Sequence, residues 1–115
     1  MHKAELLKGS TGLILLSLLT EKDMYGYEIT EKVQTLSEGY LCYKEGTLYP
    51  ALKRLELAGL VSSYWRDSSD GPRRKYYRIT HAGEHAVADQ KNEWNMFQKV
   101  MQRIVGDGIV RTSTD

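Results

Sequence analysis

One cysteine in 115 residues, Cys42, excludes an intramolecular disulfide. Three histidines, His2, His81 and His85, are too few and too scattered to suggest a metal centre: His81 and His85 share a helical spacing, but a third ligand is not evident. No nucleophile–base pair, carboxylate pair or phosphate-binding glycine loop stands out, which argues against an enzyme and against a cofactor. Long apolar runs are also missing. The longest, residues 13–19, falls well short of the roughly 20 residues that span a bilayer, and no small-residue cleavage site follows it. A buried first helix in a cytoplasmic, membrane-free protein is the expectation.

What is present is ordinary in bulk and uneven in detail. Hydrophobic content of 41% and charged content of 27% suit one globular domain with an appendage, residues 106–115 being read as a flexible tail. The net charge of +1 conceals a balance of −2 over residues 1–43, +4 over 44–78 and −1 over 79–115. A positive middle between slightly acidic ends is the footprint of a local polyanion site.

The positive region is built around Lys44 to Gly59. Leu48, Leu52 and Leu55 recur at helical spacing and must be buried, leaving Thr47, Tyr49, Pro50, Lys53 and Arg54 pointing elsewhere. Proline is harmless only in a first turn, so Thr47 is expected as N-cap with Pro50 third in the helix, and Gly59 as the stop. Leu60 to Arg66 reads as a strand, residues 67–72 as a turn, and Arg73 to Ile79 as a returning strand that begins Arg73-Arg74-Lys75. A helix followed by a basic hairpin suggests a winged helix, mainly α with a two-stranded β wing.

Two helices are expected before it. The first runs from about Glu5 to Thr20 and is apolar nearly all round in its second half; the second runs from Met24 to Leu36, with Asp23 as its N-cap. Tyr25 and Tyr27 flank Gly26 at its start, where they contact phosphate or, the favoured reading, pack between helices, and Gly26 permits close approach of another backbone. After the wing, Thr80 is placed to cap a helix from His81 to Val105 that carries Val87, Trp94, Phe97, Met101 and Ile104 on one stripe. About 37 Å of helix cannot fit a domain with a radius of gyration near 13 Å, so its far end projects and its stripe needs a second chain. A homodimer follows, most simply through the same helix or the first helix of a twofold mate.

Tyr25-Gly26-Tyr27-Glu28, then Glu45-Gly46-Thr47-Leu48-Tyr49-Pro50 through Glu56, then Gly71-Pro72-Arg73-Arg74-Lys75-Tyr76-Tyr77 with Thr80 and Gly83, resemble the PadR-like transcriptional regulators over residues 6–105. The resemblance implies a dimeric winged helix-turn-helix repressor on double-stranded DNA: residues 1–80 as the DNA-binding domain, 81–105 as the dimerisation helix. It assigns DNA contact to Tyr25, Lys44, Thr47, Tyr49, Pro50, Lys53, Arg54, Arg73, Arg74 and Lys75. In short family members similar to this chain, a tryptophan matching Trp94 lines a pore between subunits and stacks on flat apolar drugs. Leu13, Gln90, Trp94 and Gln98 are therefore expected to meet a planar hydrophobic small molecule, against the plainer reading of Trp94 as a dimer anchor. The alternative for the whole chain is a winged-helix protein-interaction module whose wing recognises an acidic partner.

Overall fold

The computed structural model describes residues 3–106, with side chains from Gly9 onward. The residues of the expected tail beyond Gly106, and the side chains of Leu6 and Leu7, lie outside that description. The chain runs α1 (Lys3–Glu21), β1 (Met24–Tyr25), α2 (Gly26–Leu36), α3 (Glu45–Leu57), β2 (Val61–Ser68), β3 (Gly71–Ile79) and α4 (His81–Val105). This is a winged helix: three helices and a small antiparallel sheet in the order β1-β3-β2, followed by one long helix.

The core forms where α1 meets α2, α3 and the base of the sheet. Leu15, Leu16 and Leu19 of α1 pack with Ile29, Leu48, Leu52, Val61 and Tyr77, all nearly inaccessible. Ala51 joins Leu48 and Leu52 on the buried side of α3, while Leu55 is only partly covered.

Three expectations about element starts are corrected. Met24 and Tyr25 do not open α2; they form β1, opposite Tyr77 and Tyr76 of β3, so the wing hairpin gains a third strand. Asp23 consequently caps nothing. Its carboxylate accepts from the Tyr64 hydroxyl at 2.6 Å and the Arg78 guanidinium at 3.0 Å, while Glu28 reaches back to the Tyr25 backbone N–H. Thr47 is not the N-cap of α3 either. Lys44 takes that position, and the N–H groups of Thr47 and Leu48 both bond its carbonyl at 2.9 Å, tightening the first turn. Pro50 therefore lies inside α3. The carbonyl it leaves without an intrahelical donor belongs to Gly46, an exposed residue where water can take the bond.

The end of α3 follows a simple rule of backbone satisfaction. Gly59 takes φ +78°, its N–H bonds the Glu56 carbonyl, and the Leu60 N–H bonds that of Leu55, a pattern that closes a helix and needs a residue tolerant of left-handed geometry. The strands are longer than expected, leaving only Ser69 and Asp70 between them, with an irregular register between Arg66 and Ser68. Thr80 caps α4 by accepting from the Gly83 N–H at 3.0 Å, and its hydroxyl donates to the Gly59 carbonyl at 2.7 Å.

Only the first turns of α4 are covered. Gly83 and Val87 are buried, but every residue from Lys91 to Val105 is exposed. The molecule measures 68 × 29 × 21 Å with a radius of gyration of 17.5 Å, against about 13 Å for a compact chain of this length.

Candidate nucleic-acid interface

α3 and the wing do not touch along their whole length; they diverge and leave a cleft of about 620 Å³. Alternation along the strands fills it. Val61, Ser63 and Trp65 share one face of β2, and the register sets Ser63 opposite Tyr77 and Trp65 opposite Lys75. Near the sheet base that face joins the core; farther out it turns Trp65 and Lys75 toward α3. From the helix side come Tyr49 and Lys53, four residues apart on one flank of α3.

Of the ten residues expected to meet DNA, the cleft brings together six: Tyr25, Tyr49, Lys53, Arg73, Arg74 and Lys75. Lys44, Thr47, Pro50 and Arg54 are exposed on α3 but do not line it. The cleft also holds Tyr27, for which phosphate contact is the less favoured reading of the sequence, and Gly26, Glu56, Trp65 and Tyr77, to which the sequence assigns no part in the interface. Trp65 had a signal, the period-two alternation that gives it the same face as Val61. Glu56 had none, because its placement depends on a hydrogen bond it accepts from the Ser63 hydroxyl at 2.6 Å.

Electrostatically the cleft is prepared for anions. No carboxylate among the described residues lies within ion-pair distance of Lys44, Lys53 or Arg54. Arg73 pairs with Asp67 at 3.5 Å, but both are well exposed, so solvent leaves that pair weak. The Arg73 guanidinium lies 5.8 Å from the Trp65 ring centroid and that of Arg74 lies 4.6 Å from Tyr25, so both cations are held on aromatic faces. At the wing tip Asp70 accepts from the Ser68 hydroxyl and the Arg74 guanidinium, which together hold its carboxyl below the usual carboxylate range. Burial pushes the Tyr77 hydroxyl pKa up, with the Glu56 charge adding to it.

Gly26 is explained by a side chain and not, as expected, by a neighbouring backbone. A Cβ on Gly26 would meet the Tyr49 hydroxyl and lie 2.8 Å from Cζ of that ring. The start of α2 is thus cut away to seat a tyrosine of α3.

A second hollow of about 530 Å³ lies between α1 and α4. Leu13, Gln90 and Trp94, expected around a small molecule, all line it, together with Glu93 and Phe97; Gln98 does not. Trp94 is 44% exposed, with its ring centroid 6.0 Å from that of Phe97. On the expected dimer stripe, Phe97, Met101 and Ile104 are exposed with it, whereas Val87 is 4% exposed within its own chain. Val87 belongs to the core that holds α4 to the domain and leaves no surface for a partner.

Among the described residues there is no helix long and apolar enough to cross a membrane. Nor is there a group of three or more His, Cys, Asp or Glu side chains that could hold a metal ion.

Known proteins share both the sequence and this shape. A sequence model of the Transcriptional regulator PadR-like family matches residues 15–89. A transcriptional regulator from Clostridium thermocellum is 38% identical, superposes with a TM-score of 0.81, and the match covers 88% of this chain and 98% of that one. A PadR family transcription regulator from Clostridium difficile is 40% identical with a TM-score of 0.73, over 84% of this chain and 99% of the other. A transcriptional regulator of Mycobacterium tuberculosis is 33% identical over 87 residues, 76% of this chain and 78% of that protein.

Proposed function

The chain belongs to the PadR-like family of transcriptional regulators, and from that premise we propose that it is a repressor that binds a pseudopalindromic DNA operator as a homodimer. Members of this family are regulators and not enzymes, and they bind DNA and typically dimerise. The observation that carries the reading is the cleft, where Tyr49 and Lys53 of α3 face Arg73 and Lys75 of the wing and Glu56 is the one carboxylate among the lining residues. α3 enters a major groove with Lys53 and Arg54 toward base edges or phosphates, Thr47 and Tyr49 toward the backbone, and the wing arginines toward phosphates or a narrow minor groove. Lys44 caps the exposed start of the same helix, Pro50 is exposed within it, and Tyr25 closes the cleft from β1.

The dimer is built by α4. Its exposed stripe of Trp94, Phe97, Met101 and Ile104 is matched in chemistry by an apolar groove of about 340 Å³ between α1 and α2, lined by Leu13, Ile14, Leu18, Val33, Leu36 and Leu41. Residues 1–80 serve as the DNA-binding domain and 81–105 as the dimerisation helix, in the cytoplasm. The hollow beside Trp94 takes a flat hydrophobic molecule that releases the operator, the indole supplying a stacking face and Glu93 favouring a cation.

Mobility-shift titration on the protein's own promoter region at several salt concentrations tests the DNA reading. Binding that weakens steeply with salt is expected. Salt-independent binding, or none, overturns it.

A further inference from the structure

The sheet has a second exposed face, turned away from the core. The register sets Tyr25, Tyr76 and Tyr64 side by side across β1, β3 and β2. Adjacent ring centroids are 5.3 and 5.8 Å apart, and Tyr27 prolongs the row at 6.4 Å from Tyr25. An arginine covers each ring of the sheet: Arg74 over Tyr25 at 4.6 Å, Arg66 over Tyr76 at 5.0 Å and Arg78 over Tyr64 at 5.0 Å. Arg78 is neutralised by Asp23 and Arg74 by Asp70. Arg66 is not: no carboxylate among the described residues is within ion-pair reach, and the residue directly across the ladder is Arg74. Like charges opposed across a sheet are unfavourable, so this pair is better satisfied by an external anion.

The chemistry narrows the occupant. The ring faces are taken by one another and by guanidinium groups, so unpaired bases have no free platform to stack on. The Tyr64 hydroxyl is spent on Asp23, so the donors left for phosphate oxygens are the Arg66 guanidinium and the hydroxyls of Tyr25 and Tyr76. The strip is also continuous with the cleft beside α3, because Tyr25 and Arg74 line that cleft as well. Resting on the DNA-binding reading above, we propose that this tyrosine–arginine face is a track for the phosphate backbone of duplex DNA flanking each half-site, so that the protein's footprint extends beyond the groove that α3 enters.

The test compares a core duplex ending at the outer edges of the two half-sites with one extended by about one helical turn, roughly 10 base pairs, at each end. The wild type, Arg66→Ala and Arg66→Lys are titrated on both. The wild type is expected to bind the extended duplex about three- to tenfold tighter, with a salt slope steeper by about 1.8 if one further phosphate is met per protomer, at roughly 0.9 each. Arg66→Ala should equal the wild type on the core duplex, which also certifies its fold, and lose the extension gain; Arg66→Lys should keep part of the slope. No gain in the wild type, or a gain that survives in Arg66→Ala, overturns the track. Equal weakening on both duplexes places Arg66 in the core contact and overturns it too, as does competition by single-stranded DNA that removes only the gain. Failure of the wild type on both duplexes instead removes the DNA reading itself, and the track with it.

Discussion

The ring of Tyr49 occupies the space that any Cβ at position 26 would need, so the first residue of α2 and the second turn of α3 are fitted to each other as a glycine and a tyrosine. Gly26→Ala therefore moves the far end of a side chain, not the backbone. Its melting temperature should stay near that of the wild type, while operator affinity falls by about tenfold, roughly 1.4 kcal/mol. In a Tyr49→Ala background the same change should have no further effect, because nothing is left to displace. Binding titrations around the four-protein cycle check the coupling.

Gly83 contrasts with this. A Cβ there would strike the Leu60 carbonyl and lie 2.7 Å from Cγ1 of Ile79. A backbone carbonyl cannot swing aside, so Gly83→Ala should destabilise the fold by about 1–3 kcal/mol, as overpacking does. Urea denaturation of the two proteins measures it, and an unchanged midpoint would contradict the packing described.

The two ends of the α4 stripe should separate fold from assembly. Val87→Ala removes core volume and is expected to cost about 1–3 kcal/mol of unfolding stability, with little effect on dimer formation at concentrations where the protein is folded. Met101→Glu should leave the domain folded and shift sedimentation toward the monomer. Dissociation by Val87→Ala without loss of stability would place Val87 in the subunit contact instead of the core.

For Asp70 the direction with pH can be worked out. The Ser68 hydroxyl, then Arg74, favour its charged form in the folded protein, so the folded pKa lies below the ordinary carboxylate value. The contribution to stability is thus present above the ordinary value of 3.8 and is lost as pH falls through the folded pKa. Carboxyl-carbon NMR titration should show a depressed midpoint that rises toward the ordinary value in Ser68→Ala. The residue is fully exposed, so loosening at acid pH should be confined to the wing turn.

Trp94 emission should be quenched by a flat cationic dye in a Trp65→Phe protein, where it is the only indole. Unchanged emission across a titration would leave Trp94 as a packing residue of the α4 stripe.

The helices, the hairpin and the positive charge of the middle of the chain were legible because local pattern decides them. Leucines at helical spacing bury α3, Gly59 ends it, Thr80 caps α4, and alternation aligns the wing. What was misread depends on partners distant in sequence. Met24 and Tyr25 look like the start of a helix until Tyr76 and Tyr77 offer a ladder. Asp23 looks like a cap until Tyr64 and Arg78 reach it. Pro50 implies a later start for α3 unless the Gly46 carbonyl, four residues back, faces solvent, and a stripe alone does not reveal that its first turns, with Val87, dock on the core. The tyrosine–arginine row was invisible for the same reason: it spans three strands.

The carbonyl of Leu60 receives the Thr80 N–H at 3.1 Å and lies against Gly83, while the Leu60 N–H closes α3. Leu60 thus ties α3, the wing and α4 together through its own N–H and its own carbonyl. In the proposed dimer, α4 then behaves as one leg of a pair of dividers: over about 37 Å, a tilt of roughly 5° displaces one end by about 3 Å. A molecule wedged beside Trp94 would need only that much to change the separation of the two points.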